Sequence, residues 1–293
     1  MINPNYIKLK EIKPELSGYI SGAQMLLRKS PVPDDASVHD MRVLLKKARS
    51  VLKLISPQVD SEYNQKDIPS LKEAAGIMSA WRDSTVYRKT LKELRKDFPQ
   101  FFSQLQENEK ITFLMKKPEP LKEPDPEILS GIREIDSLLK KTGYRIRFTK
   151  LTTDPGLLLK ELEQTYLKVV DMFLVCRNKP KEPRLHELRK KTKDFLYQLY
   201  FFRPLNSQAV KALEKKLEAM TRNLGKINDL AQLVKALDYR YPNDLNTPVL
   251  DELVVRIREK QDKYLSKVWP TASKYFCPGK RLENLLGYKL LII

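Results

Sequence analysis

Cysteine, histidine and glycine are scarce in this sequence. The 293 residues include 2 cysteines, 2 histidines and 9 glycines. Cys176 and Cys277 lie far apart and lack the spacing of a zinc site or a disulfide framework, so a reducing compartment fits best. Because leucine, lysine and glutamate fill the stretches between 19 prolines, helices are favoured over strands. All-β and collagen-like folds are therefore excluded, and we expect an all-α protein.

Long apolar runs are also missing. No stretch approaches the roughly 20 apolar residues that a membrane-spanning helix needs, and the first residues lack the basic and apolar regions of an export signal. We therefore expect a cytoplasmic protein without membrane insertion. The apolar residues 290–293 are too few for an anchor, and we expect them to dock on the core.

The charge balance is strongly positive. Lysine and arginine number 55 against 37 aspartates and glutamates, which gives a formal net charge of +18, and both halves of the chain share the excess. With 41% hydrophobic residues the chain has enough apolar side chains to fold. The charge predicts a polyanionic partner, such as nucleic acid, a phosphate chain or an acidic lipid surface.

Prolines divide the chain into a succession of helical patterns, and its length predicts two domains or one long helical assembly. The proline-rich, charged stretch 116–126 is predicted to be a loop. The predicted helices cover residues 15–30, 35–56, 67–97, 99–116, 127–150, 156–178, 183–203, 206–240, 247–268 and a short piece near 280–290.

One arrangement of residues occurs twice, about 147 positions apart. Residues 38–46 and 185–193 each contain an apolar residue, histidine, a carboxylate, an apolar residue and arginine, with lysine seven positions after the histidine. A second echo pairs residues 80–83 with 226–229. The economical explanation is two homologous antiparallel four-helix bundles, residues 1–150 and 151–293.

On a helix, both repeats place cations on one face. A single basic stripe is usually only a solvated surface, but repetition with the only two histidines of the chain favours a shared anion site. The first stripe spans roughly 20 Å at about 1.5 Å per residue, which suits an extended anion. Arg82 is a further candidate, although its neighbour Asp83 could simply pair with a cation or cap a turn. The candidate binding residues are His39, Arg42, Lys46, Arg49, Lys53, Arg82, His186, Arg189, Lys190, Lys193 and Tyr197.

No catalytic pattern is present. His39-Asp40 matches the dipeptide of HD-type phosphohydrolases, but those enzymes need further histidines. A di-iron site needs a glutamate three residues before each histidine, where Ala36 and Pro183 stand. Phosphate-binding glycine loops and nucleophile elbows are also missing. We therefore expect no catalytic residues, no metal, no cofactor and no enzymatic activity.

The two histidine motifs, with Trp81-Arg82-Asp83 and residues 224–229, resemble the CHAD family of helical domains over almost the whole chain. The resemblance implies two four-helix bundles related by a pseudo-twofold axis, with a basic central cleft that binds inorganic polyphosphate. A protein of this kind would associate with polyphosphate granules in the cytoplasm. Leu196, where the first half has Arg49, departs from the repeat and leaves the contribution of the second half open.

In this interpretation Arg42 and Arg189 would each bind paired phosphate oxygens, and the lysines would add charge along the anion. Both histidines would add charge on protonation, so binding should tighten as the pH falls from about 8 to about 6. A nucleic-acid binder is the chief alternative, because long-range electrostatics does not distinguish phosphate backbones. A phosphate-releasing hydrolase is the third.

Overall fold

The computed structural model describes residues 7–59, 61–105, 108–116, 125–151, 154–237 and 247–287. Side chains are not described for residues 61–64, 80, 82–84 and 247. The described part of the chain is helical and contains no strand, which confirms the predicted all-α class. The predicted docking of residues 290–293 lies outside the described residues.

Eleven α-helices lie in the described ranges, and short 3₁₀ turns follow the second and the eighth. The helices are α1 (Leu9–Arg28), α2 (Asp35–Ile55), α3 (Ser61–Asp97), α4 (Pro99–Gln104), α5 (Glu109–Met115), α6 (Pro126–Phe148), α7 (Pro155–Asn178), α8 (Glu182–Leu199), α9 (Ser207–Leu237), α10 (Thr247–Phe276) and α11 (Leu282–Leu286).

Capping residues fix where several helices begin. The Asp34 carboxylate accepts a hydrogen bond from the backbone N–H of Ser37 at 2.7 Å and starts α2, as its sequence predicts. Asp154 caps α7 in the same way, with Pro155 at the first helical position. These two caps fix where α2 and α7 begin.

Four predicted helices differ clearly from the predicted bounds, and one of them, 67–97, begins six residues earlier, at Ser61. The predicted helix 99–116 is two helices, because the Asn108 side chain caps a new start by accepting from the N–H of Ile111. Helix α1 begins before Pro14 and α10 continues past Pro270, so both helices contain a proline that the prediction used as a boundary. A proline inside a helix removes one backbone hydrogen bond and crowds the preceding turn, and tertiary packing on both sides offsets this cost.

Helix packing joins the two halves. α2 contacts α1 and α3, and α6 contacts α1 and α3; in the second half α7, α8, α9 and α10 contact one another in sequence, with α10 returning to α7. Between the halves, α2 packs on α8 and on α7, and α3 packs on α9. The division into bundles 1–150 and 151–293 stays a prediction.

The apolar core is continuous across both halves. One cluster of buried side chains includes Leu45 and Leu139 from the first half and Phe173 and Phe276 from the second. A second cluster joins the C-terminal part of α3, through Leu91, with α4, α5, α9 and α10. Burial of apolar surface across these contacts holds α2 against α8 and α3 against α9.

Within the described ranges, every helix lacks an apolar stretch long enough to cross a bilayer. The most hydrophobic positions instead face the cores described above.

Candidate anion-binding cleft

Helices α2, α3, α8 and α9 enclose a cleft of about 550 Å³. Among its described lining residues, the cations outnumber the acids two to one. The cations are Lys46, Lys89, Arg189, Lys193, Arg222 and Lys226. The acids are Glu93, Glu218 and Asp229. A concave surface with this balance focuses a positive potential on whatever occupies it.

Five of the predicted binding residues meet in this cleft. They come from both repeats, and the two lysines that follow the histidines by seven positions face the same space from α2 and α8. These residues are His39, Lys46, Arg189, Lys193 and Tyr197. The contact between α2 and α8 explains why stripes 147 residues apart share one site.

Arg189 is held at the wall of the cleft by α9. Its Nε donates to the carbonyl oxygen of Thr221 at 3.3 Å, and the guanidinium lies over Gly225. A Cβ atom on Gly225 would lie only 3.3 Å from Arg189 Nε. The glycine therefore allows the guanidinium to lie close to the helix backbone while it faces the cleft.

Lys193 is half-buried among other cations. Burial lowers its pKa, and the nearby charges of Arg189 and Arg222 lower it further, whereas Glu218 opposes the shift. Its Nζ lies 5.4 Å from the centroid of the Tyr197 ring. Burial also raises the pKa of Tyr197 and keeps its phenol neutral. A bound anion would favour the charged form of Lys193 and reverse the lowering of its pKa.

An ion pair crosses the cleft between the halves. Lys226 Nζ on α9 lies 2.6 Å from both carboxylate oxygens of Glu93 on α3. Each side chain is about one-third exposed, so water and salt screen the pair and limit its contribution to stability. An incoming anion competes with Glu93 for Lys226.

His186 occupies a different cavity. This space of about 310 Å³ lies between α8 and α9 and is lined by His186, Glu187 and Asn228, among others. Burial lowers the pKa of His186, and a hydrogen bond with Asn228 opposes that shift. The Nδ1 atom is buried without a hydrogen-bond partner. In the described structure, the two repeated histidines therefore line separate spaces.

Arg42 also has a different position from its repeat partner. Its Nη1 donates to the carbonyl oxygen of Ala75 at 2.5 Å and to Ser79 Oγ at 2.6 Å, both on α3. Among the described lining residues of the cleft, Arg189 is present and Arg42 is not. The Arg42 guanidinium ties α2 to α3.

The other predicted stripe residues face the contact between α2 and α8. Lys53 Nζ lies 2.5 Å from the Asp194 carboxylate, and the Ser50 hydroxyl donates to the Asp194 carbonyl oxygen at 2.7 Å. Arg49 is half-buried beside Asp194, and burial lowers its pKa. Lys190 is exposed and pairs with Glu187 on its own helix at 2.5 Å.

The side chain of Arg82 lies outside the described residues, so its predicted role is not described. The sequence interpretation missed most of the α3 and α9 walls, including Lys89 and Arg222. Their signal was available: on α9, positions 218, 222, 225 and 229 follow one helical face, as 86, 89, 90 and 93 do on α3.

Among the described residues, no three histidine, cysteine or acidic side chains form a group that could hold a metal ion. The cations that line the cleft can form charge-assisted hydrogen bonds, and His39 lines the same space. Such donors recognise phosphate or carboxylate oxygens.

A model described as the CHAD domain matches residues 23–238, which is well over half of the chain. The chain belongs to the CHAD-domain family. This confirms the family suggested by the two histidine motifs. Both motifs, and all described residues that line the cleft, lie within the matched CHAD range.

A solved structure supports the fold of this CHAD protein. PptA from Streptomyces chartreusis superposes with a TM-score of 0.59 and covers 88% of this chain and 98% of its own, at 13% sequence identity. At this identity the likeness concerns the fold alone. Among curated proteins, none matches the chain significantly.

Proposed function

We propose that this CHAD protein binds inorganic polyphosphate, without catalysis, in the cleft between its two halves. The observation that carries the proposal is the convergence of six cationic side chains from four helices on one concave space. Membership of the CHAD family supports the choice of polyphosphate among the possible polyanions.

The arrangement of charges suits a chain of phosphates better than a single phosphate. Cations stand on both walls, so one small anion could contact only part of the set, whereas a linear polyanion contacts both walls at once. Each charge-assisted hydrogen bond contributes about 1.5–3 kcal/mol. Several such bonds along one ligand would give a strong site from individually modest contacts.

The half-buried Lys193 gives the cleft a further preference for dense negative charge. Its ammonium group is partly desolvated and is repelled by the charge of Arg189. Phosphate oxygens would replace the lost hydration and neutralise the neighbouring charges, so the gain is greatest for a ligand whose negative charges are closely spaced. Polyphosphate has this density without the sugars and bases of nucleic acid.

Binding should be reversible and should leave the polymer intact. The polar groups that line the described cleft are six cations, three acids, His39, Tyr197 and two threonines, and Lys226 already pairs with one of the acids, Glu93. We therefore expect no phosphate release with or without Mg²⁺. A hydrolase would release phosphate from polyphosphate under the same conditions.

A direct test measures binding of fluorescently labelled polyphosphate by the wild type and the double variant Lys46→Gln/Lys193→Gln. The matched control is Lys211→Gln/Lys215→Gln, which removes two charges from exposed positions on α9. Because two charge-assisted contacts are lost, we expect the cleft variant to bind at least about tenfold more weakly, and the control to lose less than about threefold.

Unlabelled competitors decide the identity of the anion. At equal phosphate concentration and ionic strength, polyphosphate should displace the label more effectively than single-stranded oligonucleotide. Better displacement by the oligonucleotide, or an equal loss of affinity in the cleft and control variants, would overturn the proposal. Circular dichroism checks that each variant is folded.

A further inference from the structure

The C-terminal part of α6 has an exposed surface that is separate from the cleft. Tyr144 is 68% exposed and Phe148 is 61% exposed, although large aromatic side chains are usually buried. Their ring centroids lie 4.7 Å apart, with the planes tilted by 48°. The two rings form a continuous aromatic surface in contact with water.

Several exposed cations lie close to these rings in the sequence. The exposed cationic residues on this part of the chain are Lys140, Lys141, Arg147 and Lys150. The sequence from 137 to 151 contains no acidic residue. Asp136, one turn earlier, pairs with Lys140 and with Arg28. The spacing of three and four residues places Lys140, Lys141 and Arg147 beside Tyr144 along the helix, and Arg147 and Lys150 lie close to Phe148 in the sequence.

Contacts with α1 and α3 hold the end of α6 that carries the two rings. Lys13 Nζ on α1 donates to the carbonyl oxygens of Arg147 and Thr149, at 2.8 and 3.0 Å. Arg145, on the inner side of α6, binds the buried carboxylate of Asp67 at 2.5 Å. These contacts fix the end of the helix, so a ligand would meet rings whose backbone is already ordered.

The surface lies far from the cleft. None of the described residues that line the cleft comes from α6. Helix α6 meets α3 at Asp67 near this surface, whereas the cleft uses residues 86–93 of α3. At about 1.5 Å per residue, the separation along α3 is roughly 30 Å. The rings therefore have no role in the proposed polyphosphate site.

A pair of exposed aromatic rings with cations nearby suits the bases and phosphates of a single strand. Bases stack on accessible ring faces, and cations contact the phosphates between them. A phosphate chain without bases would gain nothing from the rings. A membrane surface fits less well, because the apolar face of α6 is buried in the core, at Ile135, Leu139 and Ile146, and the two rings are the large apolar side chains exposed on its described C-terminal part.

We propose that Tyr144 and Phe148, with the cations beside them, form a second binding site that takes single-stranded nucleic acid. It is independent of the cleft and does not rest on polyphosphate as the ligand there. Recognition would be tolerant of sequence, because stacking uses the face that every base has.

The test compares three proteins by the anisotropy of a labelled oligothymidine: the wild type, Tyr144→Ala/Phe148→Ala and Tyr144→Phe/Phe148→Tyr. Loss of base stacking should weaken binding by about tenfold or more in the alanine variant. The aromatic variant keeps both rings and should bind within about threefold of the wild type. Both exposed positions can be changed without removing core contacts, which circular dichroism verifies.

Two parallel measurements distinguish this site from the cleft and from a surface that binds lipid. Polyphosphate binding should be unchanged in the alanine variant whether or not the cleft proposal is correct. Unchanged oligothymidine binding by the alanine variant would overturn the proposal. Oligothymidine binding that falls in Lys46→Gln/Lys193→Gln but not in the alanine variant would also overturn it. The same holds if the alanine variant keeps its affinity for oligothymidine and loses only its binding to vesicles of phosphatidylserine and phosphatidylcholine.

Discussion

The two halves of the protein carry the same histidine motif but use it differently. In the second half, Arg189 faces the cleft beside Gly225, whereas in the first half Arg42 binds Ala75 and Ser79 on α3. Both arginines contact a backbone carbonyl on the next long helix, 33 residues on from Arg42 and 32 residues on from Arg189. Both repeats therefore keep a contact between the arginine and the next long helix. Gly225 leaves room for the Arg189 guanidinium at the cleft, whereas Ser79 binds the Arg42 guanidinium.

The histidines show the opposite asymmetry. His39 is exposed at the cleft, whereas His186 is half-buried in a neighbouring cavity with its pKa lowered. Each half thus contributes one member of its His–Arg pair to the described cleft lining. A duplicated sequence therefore does not guarantee a duplicated site, and the following predictions test this division of roles.

The largest difference is expected between Arg189→Gln and Arg42→Gln. Loss of a charge-assisted contact in the cleft should weaken polyphosphate binding by at least about tenfold for Arg189→Gln. Arg42→Gln should instead lower the free energy of unfolding by about 1–3 kcal/mol, because two hydrogen bonds to α3 are lost, and change affinity by less than about threefold. Titration with labelled polyphosphate and urea unfolding measure the two effects. Equal losses of affinity would show that both arginines contact the anion.

A moderate effect on stability is expected from Asp194→Asn. This change removes the negative charge between Arg49 and Lys53, which leaves the half-buried guanidinium without its nearest carboxylate. We expect the free energy of unfolding to fall by about 1–2 kcal/mol, measured by urea denaturation. Polyphosphate binding should stay within about twofold. A marked change in affinity would place Arg49 and Lys53 at the anion after all.

The smallest effect concerns pH. We expect polyphosphate binding to tighten a few-fold as the pH falls from about 8 to about 6, because protonation of His39 would add a positive charge at the cleft. His39→Gln should flatten this profile at constant ionic strength. His186→Gln should leave it unchanged, because burial favours the neutral ring of His186. A profile flattened only by His186→Gln would reverse these roles.

His186 also links pH to the stability of the fold. The pKa of His186 is lower in the folded protein than in the unfolded chain, so its neutral form contributes stability that is complete above about pH 6.5 and is lost as the pH falls further. The unfolding free energy of His186→Gln should therefore depend less on pH below 6.5 than that of the wild type, with His39→Gln as the control.

Helical periodicity predicted the class of the fold and most helix bounds, because local patterns and caps such as Asp34 act within a few residues. The repeat located the cleft lysines Lys46 and Lys193. It could not show that Arg49 and Lys53 would meet Asp194, because that contact depends on how α2 crosses α8. Similarly, the sequence does not show that Ser79 would bind Arg42 or that Gly225 would lie beside Arg189, because both contacts depend on how the helices pack.

The apolar cluster at the ends of α3 and α9 has a consequence for how salt acts on this protein. It helps to keep the cleft walls together although they carry an excess of like charge, and these charges repel one another in the empty state. Dissolved ions shield such repulsion over distances of about 8–10 Å, and they weaken the attraction of the same charges for a polyanion. Moderate ionic strength should therefore stabilise the empty fold while it loosens the complex.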